Sequence, residues 1–274
     1  MLDAVTTVRS FAPMLGYQVV FRAEADRILA PDVASRRVFA RVVARIGRPH
    51  GLFGFGLADT HGHCALACDL ARVNRFVHDA RLALSHHLRL PMVAPAVHPI
   101  RDTWHAESVL AYVHRQDEHH GVGTDPLREG TSLPDLCGLR PSGLWLADTV
   151  RALLPRVRRA DLLAQWGLVA LDEAEHLELL AEAGAAAIGA PALSGRADDT
   201  VAARRACVHA TDAGPNALAE ALGIAARTVR HLRGQAPDPR LVRAVRLQMG
   251  LRAAIGPPGE AAFVGEGGLP RGRR

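Results

Sequence analysis

The sequence predicts an α+β chain: an antiparallel sheet with helices packed on it, followed by an α-helical C-terminal domain. Three observations carry this reading. Short runs rich in β-branched, aromatic or alternating apolar residues occur at 16–23, 52–58 and 61–68, as pleated strands require. Between and after them stand stretches whose apolar residues return at helical spacing. Beyond position 199 every patterned segment is helical, which confines the sheet to the N-terminal half.

Taken in order, residues 1–15 form a loosely ordered lead-in and 16–23 the first strand. Asp32 caps a helix to Ile46, with Val38, Phe39, Val42, Val43 and Ile46 on its inner face, and Gly47 and Pro49 end it. Residues 52–58 and 61–68 pair as a hairpin across the turn Asp59-Thr60. Asp69 opens a helix through Leu88, with Val73, Phe76, Val77, Ala80 and Leu84 on one face. Prolines 91, 95 and 99 allow only a short edge strand within 93–100. A helix then spans 103–119, stopped by Gly121. This order places helices over one face of the sheet. Residues 124–142 are turn-rich; short helices follow at 144–154 and 160–168, then an acidic one at 172–183.

The Gly- and Ala-rich segment 184–199 reads as a hinge. The expected division is 1–125 catalytic domain, 126–198 helical extension and linker, 199–255 helix-turn-helix-like domain and 256–274 disordered basic tail. In the third unit, helices at 216–222 and 226–233 flank a turn that begins with Gly223. Arg227, Arg230 and Arg233 recur every third residue on the second of these, the candidate recognition helix, suited to phosphates or guanine edges. A plain helical bundle is the alternative.

The chemistry centres on residues 57–66. His61 and His63 lie two apart in a strand, so both side chains point to one face, with Cα atoms roughly 6–7 Å apart. One metal ion lies within reach of both rings. Cys64 and Cys68 have the opposite parity and read as small core residues rather than zinc ligands. Downstream, Tyr112 and Gln116 are four apart on a helix and share a face. Together these four residues make one site, with the metal on His61, His63 and Gln116 and Tyr112 as nucleophile. Each part also has a plainer explanation: a structural histidine pair, a core tyrosine, and a solvated surface for His114, His119 and His120. Of the two tyrosines, Tyr17 suits the core and Tyr112, near Ser108 and Gln116, suits solvent.

The chain carries a net charge of +5, and its 33 basic residues are all arginine. Arginine's planar fork favours phosphate oxygens, which makes nucleic acid a plausible partner beside a merely basic enzyme. No apolar run approaches membrane-spanning length and no basic-then-apolar leader opens the chain, so a cytoplasmic protein with reduced thiols is expected.

The His61-Gly62-His63 strand motif, followed some fifty residues later by Tyr112 with an amide at i+4, resembles the single-tyrosine HUH transposases. It is most similar to the REP-associated tyrosine transposase (insertion-sequence-two-hundred-like) group, across residues 16–150. Two departures stand out: Gly62 where the group has a bulky apolar residue, and Gln116-Asp117 where it has Asn-Pro. The resemblance implies a ferredoxin- or RRM-like sheet and Mg²⁺ or Mn²⁺ on His61, His63 and Gln116. It also implies attack by Tyr112 on single-stranded DNA with hairpin or repeat ends, giving a 5′-phosphotyrosine intermediate in transposition. Related enzymes occur as monomers and as homodimers. The alternative functions are a non-catalytic DNA-binding regulator with a degenerate HUH domain and, more distantly, a zinc hydrolase.

Overall fold

The structure, a computed structural model, describes residues 14–116 and 125–256. It is α+β. Strands β1 (Gly16–Arg22), β2 (Leu52–Leu57), β3 (His61–Leu66) and β4 (Ala96–Ile100) form one antiparallel sheet in the order β2-β3-β1-β4. With helix α1 (Val33–Gly47) after β1 and α2 (Leu70–Leu88) after β3, the chain makes the β-α-β-β-α-β path of a split, ferredoxin-like sheet. Both helices start where capping chemistry says they should. The carboxylates of Asp32 and Asp69 accept the backbone N–H groups of Ser35 and Arg72. The fourth strand is an edge strand, as its proline demands.

The two faces of the sheet are covered differently. Phe21 and Phe55 turn toward α1 and α2, where their rings meet Phe76 and Phe39 edge-on, with centroids 5.9 and 6.3 Å apart. Gly62 points the same way, and a Cβ there would lie 2.5 Å from the Phe39 ring. The ring of Phe39 thus fills the space that a bulky residue at position 62 would need. The other face is not left bare, contrary to the expectation of helices on one side only. Helix α3 (Thr103–His114) lies over β2, because Gly54 and Gly56 give it room. A Cβ on Gly56 would fall 1.7 Å from the Val113 carbonyl oxygen. The backbone of α3 therefore sits directly on the strand.

Helix α3 ends at His114, earlier than the helical pattern to 119 suggested. Arg115 breaks the geometry at φ −108°, ψ 19°, and residues 117–119 and Gly121 lie outside the described residues. His114 is not part of a solvated surface. It is buried, its Nε2 meets Ser132 Oγ at 2.8 Å, and burial, with the nearby Arg128 charge, pulls its pKa down to about 3. Ser132 also closes the outer edge of β2, donating its N–H to the Phe55 carbonyl. The turn-rich segment 124–142 is thus mostly interior where it is described, and it includes a single helical turn, α4 (Leu133–Leu136).

Short helices α5 (Leu144–Leu153) and α6 (Arg159–Ala164) follow. The acidic helix expected at 172–183 is α-helical only from 180, and residues 172–176 take no regular structure. That segment instead runs along the C-terminal helix, where the Asp172 carbonyl would clash with any Cβ at Gly250. A 3₁₀ turn, Leu177–Leu179, leads into α7 (Leu180–Ala187). The glycine and alanines read as the start of a hinge are therefore buried in α7, against Cys207 and Leu193. Helices α8 (Asp198–His209), α9 (Pro215–Leu222), α10 (Ala226–Arg233) and α11 (Pro239–Ile255) complete a second core.

Two features join the halves. Helix α11 serves both cores: Val245 and Met249 pack in the bundle, Leu247 and Leu251 against the sheet-side core. Beside it lies a buried ionic network. Glu129 takes hydrogen bonds from Arg37 of α1 and Arg252 of α11, and Arg37 also reaches Glu182 of α7. Arg140 donates to the Glu129 carbonyl and to Asp135. Burial works to raise the Glu129 carboxyl, but the hydrogen bond from Arg37 and the charges of Arg252, Arg37 and Arg140 outweigh it and hold it below the usual carboxylate range.

Candidate active site

The half-open face of the sheet holds the candidate site. Register places Val20 and Gly56 beside His63, Arg22 beside His61, and His98 beside Gln18. Residues of the same parity on β1, β3 and β4 thus converge, and they line a cavity of about 450 Å³ with Tyr112. The lining is Gln18, Val20, Arg22, His61, His63, His98 and Tyr112, with no carboxylate among them. Gln18, Arg22 and His98 were not singled out from the sequence. The signal was present in the alternation Gln18-x-Val20-x-Arg22, which becomes informative only once β1 is known to lie between β3 and β4.

The two histidine rings stand 4.8 Å apart, centre to centre, at 75°. That separation suits two imidazoles sharing one ion at nitrogen–metal distances of about 2.1 Å. Thr60 Oγ1 meets His61 Nδ1 at 3.3 Å, and the Gln18 amide meets His63 Nδ1 at 3.0 Å. The atom of Gln18 at His63 is the amide Nε2, which donates, so Nδ1 accepts and the neutral ring carries its proton on Nε2; a metal on Nε2 would require the amide to turn its oxygen inward. Cys64 faces the opposite side, fully buried, and burial pushes its thiol well above the ordinary range.

Tyr112 reaches this site because α3 sits low over the β2 glycines. Its ring lies 5.3 Å from that of His63, nearly perpendicular at 81°, and the residue is 37% exposed. A half-exposed phenol beside a histidine pair is accessible to a strand lying across the sheet. Tyr17 packs against the core.

Gln116 is placed differently from the other three. It is buried, its Nε2 donates to the Tyr112 carbonyl at 3.1 Å, and it is not part of the cavity lining. Its Oε1 is buried with no hydrogen-bond partner among the described residues, and an unsatisfied amide oxygen is a competent ligand for a hard cation. Among the described residues, no three His, Cys, Asp or Glu side chains group as a metal site. Among the described residues, the donors available to an ion here are two imidazoles and a neutral oxygen. That donor set fits Mn²⁺ better than Mg²⁺, which favours oxygens throughout.

In the C-terminal half, Arg227 and Arg230 stand exposed on α10, while Arg233 is half-buried and donates to the Ala213 carbonyl at 2.8 Å. Gly223 closes α9 in the left-handed region at φ 61° and turns the chain into α10. Two of the three arginines are thus available to a ligand, and the third ties the end of α10 to the chain leading into α9.

No family model and no curated protein matches this chain. Among solved structures, it is similar to one described as the REP associates tyrosine transposase bound to a REP hairpin, at 14% identity and a TM-score of 0.31, over 44% of this chain and 76% of that one. Likeness at that level assigns neither family nor activity, and the functional reading rests on the residues of the site.

Proposed function

We propose that this chain is a DNA strand-cleaving and rejoining transesterase that acts on single-stranded DNA in transposition, with Tyr112 as nucleophile. The observation that carries the reading is the Tyr112 ring standing against His63, itself paired with His61, in a cavity whose described lining includes arginine and histidine and no carboxylate. Arg22 would hold the scissile phosphate bidentately. His61 and His63, with Gln116 as third donor, would hold Mn²⁺ or Mg²⁺, which supplies Lewis-acid polarisation of that phosphate. Tyr112 Oη forms the new bond to phosphorus as the P–O3′ bond breaks. The phenolic proton passes to the departing 3′ oxygen, with His98 as the imidazole left to relay it. The products are a 5′-phosphotyrosine link and a free 3′-hydroxyl; reversal with another 3′ end rejoins strands. Arg227 and Arg230 on α10, the recognition helix in this reading, would grip duplex or hairpin backbone.

The test is to incubate the protein with Mn²⁺ and single-stranded oligonucleotides from the flanks of its own gene. Reactions are then resolved on a denaturing gel beside Tyr112→Phe. The expected result is a protease-sensitive DNA–protein band with the unsubstituted protein alone. Cleavage retained by Tyr112→Phe would overturn the assignment.

A second reading has its own support. Gln116 lies outside the cavity lining, as it would in a DNA-binding regulator whose catalytic site has decayed. Such a protein would bind the same oligonucleotides in a native gel, form no adduct and bind no Mn²⁺.

A further inference from the structure

A second cavity, of about 550 Å³, lies at the seam between the two halves. Its walls come from α1, from the segment around Trp145, and from the starts of α8 and α11. Because α1 covers the sheet face opposite His61 and His63, this cavity is separate from the candidate active site. Its size falls within the ~300–1,000 Å³ typical of small-ligand sites.

The charges on its walls do not cancel. Arg41 and Arg45 of α1 and Arg48 just past its end recur at helical spacing and line the cavity together. The three acids that also line it are already engaged. Asp199 pairs with Arg41 at 2.5 Å, Asp135 with Arg140 at 2.5 Å, and Asp238 caps α11 by accepting the Arg240 N–H. Among the described residues, neither Arg45 nor Arg48 has a carboxylate partner. The nearby His87 reports the resulting field: burial first, then the charges of His86, Arg45 and Arg41, hold it below its ordinary pKa. The same cavity also has an apolar and aromatic lining, with half-buried Trp145 and Ile188 and buried Leu241.

Guanidinium groups without a carboxylate partner among the described residues, lining one cavity with an indole, suit a ligand that is anionic at one end and flat and aromatic at the other. We propose that this seam cavity binds a nucleotide, with its phosphate on Arg45 and Arg48 and its base against Trp145. The nucleotide is either free or one unit of a single strand. Arginine forks bind phosphate oxygens bidentately, and stacking on an aromatic side chain is tolerant of base identity.

The test is calorimetric titration of the full-length protein with AMP, with pentathymidylate and with inorganic phosphate. Binding of AMP or of the pentamer, weakened more than tenfold in the double variant Arg45→Gln/Arg48→Gln and several-fold in Trp145→Leu, is the expected result. AMP alone identifies a free nucleotide, and the pentamer alone a strand segment. Both arginines are exposed, so an unchanged melting temperature would show that the double variant remains folded. No binding of either probe at millimolar concentration would overturn the proposal, as would binding unchanged in the double variant or inorganic phosphate binding as tightly as AMP. Adduct formation through Tyr112 is read separately, so failure here leaves the proposed function standing, and the reverse holds too.

Discussion

Two polar clusters lie in this molecule, and they are built on opposite terms. Around Glu129, the carboxylates of Glu129, Glu182 and Asp135 are matched by Arg37, Arg252 and Arg140, most of them deeply buried. Around His63, the described lining residues include one arginine, three histidines and a phenol with no carboxylate, and the cavity opens to solvent. The first cluster supplies its own counter-charges and has none left for a ligand. The second shows no carboxylate among its described lining residues, and its arginine, histidines and phenol suit a phosphate. Buried charge alone does not mark a functional site; imbalance of charge beside an opening does.

The largest effect should come from breaking the balanced cluster. Glu129→Gln leaves Arg37 and Arg252 buried without their carboxylate, and denaturant unfolding at neutral pH should register a loss of about 3–5 kcal/mol. The pH dependence has a definite sign. Glu129 is held below its ordinary value of 4.5 in the folded chain. Its contribution to stability is thus full above that value and is lost as pH falls through the folded pKa. The gap between the two proteins should accordingly narrow below about pH 4.5, and a gap that widened there would contradict the charge assignment.

Next in size is the packing beneath the histidine pair. Gly62→Val drives a side chain into the Phe39 ring and should cost about 1–3 kcal/mol by overpacking. The combination with Phe39→Ala should recover part of the loss, so that the double-mutant cycle shows coupling. Independent, additive losses would mean that Phe39 does not occupy the space at position 62.

The open cluster should respond in binding rather than stability. Gln18→Leu removes the hydrogen-bond partner of His63 and should weaken Mn²⁺ binding by about 10–100-fold. The melting temperature should stay nearly unchanged, as read by calorimetry of both quantities. Smallest of all, Arg227→Gln and Arg230→Gln should each weaken oligonucleotide binding evenly across sequences. Each should reduce the slope of log affinity against log salt by about 1; a slope that does not move would remove α10 from the interface.

Much of the fold was legible because its signals are local. Asp32 and Asp69 announce their helices, the hairpin turn announces β2 and β3, and α10 runs from Ala226 to Arg233 as its pattern predicts. What could not be read depends on distant partners. The acidic stretch after Asp172 has helical composition, yet Gly250 offers its backbone a groove along α11 instead. The alanines after Gly184 look like a linker until Cys207 and Leu193 are seen to enclose them. Gly62 departs from the bulky residue of the group that the motif resembles, and its reason lies in Phe39, on a helix that packs beneath it. The same limit applies to the site. His61, His63 and Tyr112 come together as spacing suggested, whereas Gln18, Arg22 and His98 join them only through strand register, and Gln116 turns inward where α3 ends.

Helix α11, shared by both cores and pinned through Arg252 to Glu129, has a consequence for any ligand long enough to touch both halves. A flexible tether gives a captured strand a broad spread of distances to a second site and a modest effective concentration there. Here the tether is replaced by a rigid spacer. A strand gripped at Arg227 and Arg230 would be presented to the sheet at a single separation, so the local concentration of its reactive stretch would be high for one length of intervening nucleic acid and would fall away on either side of it. The molecule would then select substrates by spacing as well as by sequence, and it would do so with no base contact at all in between.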